Sequence, residues 1–128
     1  MRNIIIIGAG GFIGAVLRYL AVLSMQAVKA KTNISLSTLL VNVLGCLLIG
    51  FLAALAENSK LISTDTSNFL VIGILGAFTT FSTFGYESFN LLKSGMNLQF
   101  AMNIIFQLVF GLAAVWGGMN LARIIQKA

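Results

Sequence analysis

The chain has 128 residues, of which 59% are hydrophobic and 9% charged, and its mean hydropathy is +1.00. Water-soluble domains carry about 25% charged residues, so this composition excludes one and predicts an integral membrane protein. With no His, one Cys and three acidic residues, the chain lacks the groups for a zinc site, a disulfide framework or a His-based triad, and we do not expect an enzyme. Its eight basic residues give a net charge of +5 but are scattered along the chain, so nucleic acid is not an expected partner.

Four apolar stretches are long enough to cross a lipid bilayer as helices. They cover residues 4–25, 37–56, 69–92 and 98–122, and short polar connections join them. Together they account for nearly the whole chain and leave no room for a soluble domain. The sequence therefore predicts one all-α, multi-pass membrane domain with four transmembrane helices over residues 1–128.

The first span carries glycines on one helical face. Gly10 and Gly14 are spaced as G-x-x-x-G, a pattern that lets another helix approach closely. Arg18 follows Gly14 by four residues and lies on the same face. We expect this face to pack against another helix.

Polar side chains form one stripe on the second span and another on the fourth. Thr38 and Asn42 are i, i+4 neighbours, and Asn103, Gln107 and Gly111 repeat every four residues. Polar groups are expensive inside a bilayer. Each stripe therefore indicates either hydrogen bonding between helices or the lining of a path, and the spacing does not decide between the two.

The third span contains small residues, hydroxyls and phenyl rings at residues 76–85, where only hydrocarbon is expected. The chain has no proline, so a break in a helix must come from glycine or from hydroxyl side chains that bond to the backbone, and both cluster here. The run lies near the middle of the span. Non-helical backbone at that depth must be buried in protein or line a water-filled path. The run therefore predicts a broken third helix and an ion or substrate site near the bilayer midplane.

Phe81 and Phe84 follow this predicted break with i, i+3 spacing. Such a stripe is more often packing than function, but the edges of phenyl rings carry partial positive charge and attract anions. No carboxylate lies in the middle of any span, whereas Arg18 is embedded in the first. This combination disfavours a cation path built on acidic residues. An anion path is the simpler interpretation.

Lys and Arg residues are almost evenly divided between the two ends of the predicted bundle. The end that holds both termini has four, and the other end has three, or four if Arg18 extends toward it. The first group is Arg2, Lys60, Arg123 and Lys127, and the second is Lys29, Lys31 and Lys93. Because orientation follows the bias of these charges, the chain is predicted to insert both ways round. Two inverted copies can then pair about an axis in the membrane plane.

The run at residues 76–84, taken with Asn42, Arg18 and Glu87, resembles the small Fluc-type (CrcB) fluoride channels of bacteria. The similarity covers essentially the full length, and its most specific element is the hexapeptide Thr-Thr-Phe-Ser-Thr-Phe at residues 79–84. The resemblance implies a fluoride-selective channel that exports fluoride passively across the bacterial inner (plasma) membrane and lowers cytoplasmic fluoride.

The same resemblance implies an antiparallel, dual-topology homodimer whose two subunits together build two fluoride pores. It also implies a structural sodium ion at the dimer centre, held by the backbone carbonyls of Gly76 and Thr79. The implied pore residues are Asn42, Phe81, Phe84, Ser82, Thr83 and Thr38. The implied interface or vestibule residues are Arg18, Glu87 and Gly14.

Two positions depart from the pattern of that family. Ala77 stands where a second glycine is usual, which narrows the permitted backbone but spares the carbonyls. Leu112 stands where family members carry a serine after the fourth-span glycine, and Gln107 is a candidate to replace that hydroxyl. A paired heterodimer stays open, although the balanced charge favours a homodimer.

Two other functions are compatible with a small four-span chain. A dual-topology multidrug transporter needs a membrane-embedded carboxylate to exchange protons, and Glu87, near a span end, is the sole candidate. A non-transporting assembly subunit would use Gly10 and Gly14 for packing but leaves the hydroxyl cluster of the third span without a role.

Overall fold

The computed structural model describes residues 1–25, 35–57 and 62–127, and within these ranges every regular element is helical. Helix α1 is Arg2–Ser24 and helix α2 is Leu36–Glu57. The third span, Thr64–Lys93, has four parts in chain order. These are α3 (Thr64–Ser67), a π-helical segment (Asn68–Leu75), α4 (Gly76–Phe78) and α5 (Phe81–Lys93). Helix α6 is Asn97–Lys127.

The prediction of four spans is confirmed, because the described part of the chain contains four helices long and apolar enough to cross a membrane. The third span begins at Thr64 rather than at residue 69. Ser63 caps it there, since its hydroxyl accepts the Thr66 N–H at 3.2 Å. The basic residues Lys29, Lys31 and Lys60 of the charge count lie outside the described residues.

Helix α6 extends to Lys127, beyond the predicted end at residue 122. Two contacts hold its last turns against the end of α2. Arg123 pairs with Glu57 at 3.6 Å, and Gln126 Nε2 donates to the Ala54 carbonyl at 3.0 Å. At the same end of the bundle, Arg2 and Asp65 form an ion pair at 2.9 Å. These pairs bring the two chain termini and the start of the third span together, as an up-and-down arrangement of four spans requires.

Helix α1 packs along the first half of the third span through its glycines. A Cβ at Gly10 would overlap the carbonyl oxygen of Phe69, and a Cβ at Gly14 would overlap that of Ile74. Gly10 also faces Gly73 of the π-helical segment, so two glycines meet in this contact. The predicted close approach is confirmed. Its partner is the third span of the same chain, where Gly14 lies against the main chain of Ile74.

Helices α2 and α6 form the second close pair. A Cβ at Gly50 would overlap the Val115 carbonyl oxygen, and a Cβ at Gly118 would overlap the Leu47 carbonyl oxygen. Main chains in direct contact gain the dispersion energy that drives helix association in lipid, where hydrophobic burial does not. The subunit is therefore built from two glycine-packed helix pairs.

A tight turn joins α5 to α6 and makes them antiparallel. Gly95 has φ of +73°, the left-handed conformation that favours glycine. The Met96 N–H donates to the Leu91 carbonyl at 2.9 Å and the Gly95 N–H to the Leu92 carbonyl at 3.0 Å. This is a Schellman motif, which pairs carbonyls at the end of the helix that would otherwise lack donors.

The glycine contact between α1 and the third span gives a direct test of the packing. Gly14→Ala is expected to lower the free energy of unfolding by about 1–3 kcal/mol, because the new methyl group must displace the main chain at Ile74. SDS titration of the purified protein in mixed micelles measures this change. Gly11→Ala is the matched control on the same helix, since no atom of the described residues lies within 4 Å of its Cβ position. Equal losses in both variants would contradict the packing described here.

Candidate functional site

The third span is broken at two residues. Thr79 has φ −78° and ψ 158°, and Thr80 has φ −150° and ψ 110°, so both are extended between α4 and α5. The break lies at the middle of the 30-residue span Thr64–Lys93, which confirms the interruption expected from the sequence. The Thr80 hydroxyl accepts the Thr83 N–H at 3.3 Å and so caps the start of α5.

Asn42 of α2 satisfies the main chain of Thr80. The Thr80 N–H donates to Asn42 Oδ1 at 2.9 Å, and Asn42 Nδ2 donates to the Thr80 carbonyl at 3.2 Å. The second Nδ2 hydrogen goes to Gln107 Oε1 of α6, also at 3.2 Å. The carboxamide of Asn42 thus pairs with both main-chain groups of Thr80 in the break. We call these three residues, Asn42, Thr80 and Gln107, the amide bridge; it joins α2 and α6 to the third span.

The break also frees two carbonyls of the third span. In a continuous helix the Thr80 N–H would donate to the Gly76 carbonyl and the Thr83 N–H to the Thr79 carbonyl. Both N–H groups donate elsewhere, to Asn42 Oδ1 and to the Thr80 hydroxyl. The Thr79 carbonyl instead accepts from Arg18 Nη1 of α1 at 3.5 Å, a long contact. The carbonyls of Gly76 and Thr79 are the two that the family resemblance implies as sodium ligands.

A cavity of about 340 Å³ opens on one side of the break. It is lined by the amide bridge and by Phe81 and Phe84, and we call it the ring cavity. The two phenyl rings meet edge to face, with centroids 5.5 Å apart and an interplanar angle of 64°. Phe81 is 81% exposed. Two phenyl rings, whose edges carry partial positive charge, and the carboxamides of Asn42 and Gln107 line this space together with apolar side chains, and no carboxylate of the described residues does. Such a lining can accept a small anion.

A second cavity, of about 450 Å³, is lined by Thr80 and the predicted residues Arg18, Thr38, Ser82 and Thr83. We call it the hydroxyl cavity. Thr80 Oγ1 lies 2.9 Å from Thr83 Oγ1 and 3.3 Å from Ser82 Oγ, so the three hydroxyls form one hydrogen-bonded group. Thr80 lines both cavities. The predicted pore residues therefore lie in two spaces that share the break as a common wall.

Comparison with known proteins decides the family of the chain. Residues 5–119 match the sequence model of the family described as CrcB-like protein, Camphor Resistance (CrcB). The chain belongs to the CrcB family. A relative in Methanosarcina acetivorans, named fluoride-specific ion channel FluC 1, is 45% identical over 98% of both chains. A relative in Campylobacter jejuni, named fluoride-specific ion channel FluC, is 45% identical over 92% of this chain and 95% of its own length.

A third relative, named fluoride-specific ion channel FluC in Nitratidesulfovibrio vulgaris, is 41% identical over 98% of this chain and 100% of its own length. These names describe ion channels, which confirms the resemblance to the CrcB family and the prediction that the chain is not an enzyme. They do not favour a multidrug transporter. With the four membrane-spanning helices, family membership makes the chain a multi-pass membrane protein.

The remaining predicted positions lie away from the two cavities. Glu87 lines neither, and its Oε2 is buried with no hydrogen-bond partner among the described residues. Asn103 is 1% exposed and donates to Ser88 Oγ at 2.9 Å. Of the two interpretations of the fourth-span stripe, Asn103 thus matches the hydrogen bond between helices. Leu112 is 72% exposed on the outer side of α6.

The sequence predicted two positions at the break only in part. Thr80 was one letter of the hexapeptide, yet its main chain and hydroxyl organise the whole break. Its spacing of three residues before Thr83 is typical of a helix cap and was the available signal. The sequence indicated Gln107 only as a replacement for the serine hydroxyl that is absent at Leu112. Nothing in the sequence placed it against Asn42, because residues 65 positions apart meet only through tertiary packing.

The amide bridge predicts a specific loss of stability. Asn42→Ala is expected to lower the free energy of unfolding by about 2–6 kcal/mol, because two main-chain groups of Thr80 lose their partners and each unpaired buried group costs about 1–3 kcal/mol. SDS titration in mixed micelles is the measurement. The control is Asn120→Ala on α6, whose exposed amide donates to the Trp116 carbonyl of its own helix. A change within about 0.5 kcal/mol is expected there. Similar losses in the two variants would show that the bridge does not hold the break.

Proposed function

We propose that the protein is a fluoride-selective channel. The observation that carries this proposal is the ring cavity, a space beside a broken membrane helix that two phenyl rings and two carboxamides help to line, with no carboxylate of the described residues among its lining. The names of the CrcB relatives support fluoride as the conducted ion. Fluoride is small and strongly hydrated, so a path for it must offer many hydrogen-bond donors and positive edges while staying narrow.

The path runs along the two cavities and the shared wall at Thr80. Phe81 and Phe84 present their edges to the anion, and Asn42 lines the same space. Thr38, Ser82 and Thr83 supply hydroxyl donors on the other side. Weak, repeated contacts of this kind let an ion enter and leave quickly, since a tight site would trap it.

Export from the cytoplasm follows from the chemistry of fluoride. The ion enters a cell as the neutral acid and is trapped as the anion at the higher internal pH. A passive channel then lets the anion leave down its gradient and lowers the cytoplasmic concentration. The corresponding location is the bacterial inner (plasma) membrane.

The working unit is an antiparallel homodimer. Gly76, Ser82 and Thr83 are all exposed on the single subunit, although they lie at the middle of the third span. They flank the extended main chain of Thr79 and Thr80, and non-helical main chain at that depth is not tolerated against lipid. A second, inverted copy covers them and brings one break against the other. Reporter fusions that place the C-terminus of every copy on one side of the membrane would contradict this arrangement.

The two freed carbonyls suit a structural sodium ion at the centre of that dimer. Gly76 and Thr79 of two subunits offer four carbonyl oxygens, the hard ligands that an alkali or alkaline-earth cation prefers. Both carbonyls have lost their helical donors, which supports the fit. Arg18 Nη1 lies 3.5 Å from the Thr79 oxygen, so the guanidinium group must turn away when a cation binds there. The ion would join the two breaks and take no part in conduction.

Fluoride flux tests the proposed function. Liposomes that contain the purified protein are loaded with fluoride, and a fluoride electrode records its release when valinomycin and potassium set the voltage. The wild type is expected to release fluoride, and Phe81→Ile to slow release by about tenfold or more, because an aliphatic side chain has no positive ring edge. Phe12→Ile is the control, an exposed ring on α1 that lines neither cavity. Absence of release by the wild type, or equal rates in both variants, would refute the proposal.

Sodium removal tests the cation site. Protein purified in sodium-free N-methylglucamine buffer is expected to melt at a lower temperature and to conduct less, and added sodium is expected to restore both. Saturation at a hundred times the dissociation constant would contribute about 2.7 kcal/mol. Thermal unfolding and fluoride release are the measurements, and an equal concentration of potassium is the control. If melting and release are the same with and without sodium, the site is wrong.

A further inference from the structure

The hydrogen-bond pattern of the amide bridge fixes which of its carboxamides can donate to an ion. The Thr80 N–H is always a donor, so the Asn42 atom that it contacts at 2.9 Å is the oxygen. The other Asn42 atom is then the nitrogen, and it contacts the Thr80 carbonyl, which is always an acceptor, at 3.2 Å. Two main-chain groups thus determine the orientation of Asn42 without ambiguity.

Both hydrogens of Asn42 are used inside the protein. Nδ2 has two hydrogens, and their acceptors are the Thr80 carbonyl and Gln107 Oε1. Asn42 therefore lines the ring cavity with no hydrogen left for a passing anion. Because Gln107 accepts from Asn42, the atom at 3.2 Å from Asn42 Nδ2 is the oxygen of Gln107, and its nitrogen must point the other way.

The side-chain nitrogen of Gln107 is a hydrogen-bond donor without an acceptor among the described residues. Nε2 is buried and has no hydrogen-bond partner among the described residues. Gln107 lines the ring cavity with Phe81 and Phe84. A buried donor without an acceptor is rare in folded proteins and calls for a ligand that completes it. The ring edges beside it attract the same kind of ligand, an anion.

We propose that, in this chain, Gln107 rather than Asn42 supplies the amide hydrogens that bind fluoride, and that Asn42 is a positioning residue that orients Gln107 and holds the break. This inference rests on the proposed function. The donor of the hydrogen bonds to fluoride then lies on the fourth span. The sequence had indicated Gln107 only as a replacement for the serine hydroxyl absent at Leu112. The site then consists of two N–H bonds of Gln107 and the edges of Phe81 and Phe84.

Two substitutions of Gln107 distinguish between its two possible roles, donating hydrogen bonds to fluoride and merely orienting Asn42. Gln107→Met removes both the oxygen and the nitrogen. Gln107→Glu keeps an oxygen for Asn42 Nδ2, and a carboxylate accepts at least as well as an amide. It replaces the N–H bonds with a second oxygen, which repels an anion. Gln126→Met is the matched control, because Gln126 lies on the same helix and donates to the Ala54 carbonyl far from both cavities.

The experiment measures initial fluoride release from liposomes over a series of fluoride concentrations, with size-exclusion elution and thermal unfolding of each variant. We expect Gln126→Met to match the wild type. Gln107→Met should raise the half-saturating fluoride concentration by about tenfold, the factor for losing a hydrogen bond to a charged group. Gln107→Glu should conduct less than Gln107→Met while eluting at the wild-type position.

Several results would overturn the inference. Wild-type rates in Gln107→Glu would show that orienting Asn42 is all that Gln107 does. Wild-type rates in Gln107→Met would exclude it from the path, and this variant decides the question if Gln107→Glu does not fold. Elution of Gln107→Met as a monomer would show that the amide binds the second subunit. Wild-type liposomes that retain fluoride would refute the proposed function as well, whereas the other results would leave that function intact.

Discussion

The structure depends on how one stretch of main chain is hydrogen-bonded in the middle of an apolar helix. A break at Thr79 and Thr80 leaves peptide groups that lipid cannot satisfy, and Asn42 satisfies those of Thr80 with two hydrogen bonds. Without that side chain the Thr80 groups would be unpaired, and this cost would favour a continuous third helix in which both cavities lose their common wall. The site is polar because the Thr80 N–H and carbonyl need hydrogen-bond partners. The phenyl rings and hydroxyls lie beside it because they belong to the first turn of α5, which begins directly after the break.

Glycine determines how close the elements of this arrangement come. Gly10 and Gly14 let α1 lie against the main chain of the π-helical segment, and Gly50 and Gly118 do the same between α2 and α6. Gly45 serves the break itself, because a Cβ at that position would overlap the Thr79 methyl group. The amide bridge then links the two helix pairs. In a bilayer, where burial of apolar surface contributes little to helix association, close contacts and a few hydrogen bonds of this kind carry the stability.

The sequence contained enough to predict the four spans and the position of the break. Hydropathy determines spans because the bilayer has a fixed thickness, and the absence of proline left glycine and hydroxyls as the only candidates for an interruption. The ring pair Phe81 and Phe84 was indicated by its spacing, and the family resemblance implied the hydroxyls Ser82 and Thr83. Their division between two cavities was not, since it depends on the angle at which α5 leaves the break.

Other features left no local trace. The π-helical segment Asn68–Leu75 has a composition that fits an α-helix equally well, so the sequence did not predict it. The orientation of Asn42 and Gln107 depends on an amide and a main-chain group 38 residues apart. The spacing of polar residues predicts that Asn42 and Gln107 each lie on a polar face of their helix. The packing of the helices determines which amide hydrogens remain without an acceptor.

The order of the chain has a consequence for biogenesis. Membrane proteins emerge from the ribosome N-terminus first, so α2, with Asn42, is already synthesised when the residues of the break appear 38 positions later. The partner of the Thr80 main chain is therefore already available when the third span is synthesised. Gln107 comes last, on the final helix, so the ring cavity acquires its remaining wall only when translocation of the polypeptide is complete. The break can therefore be stabilised by Asn42 before the ring cavity is complete.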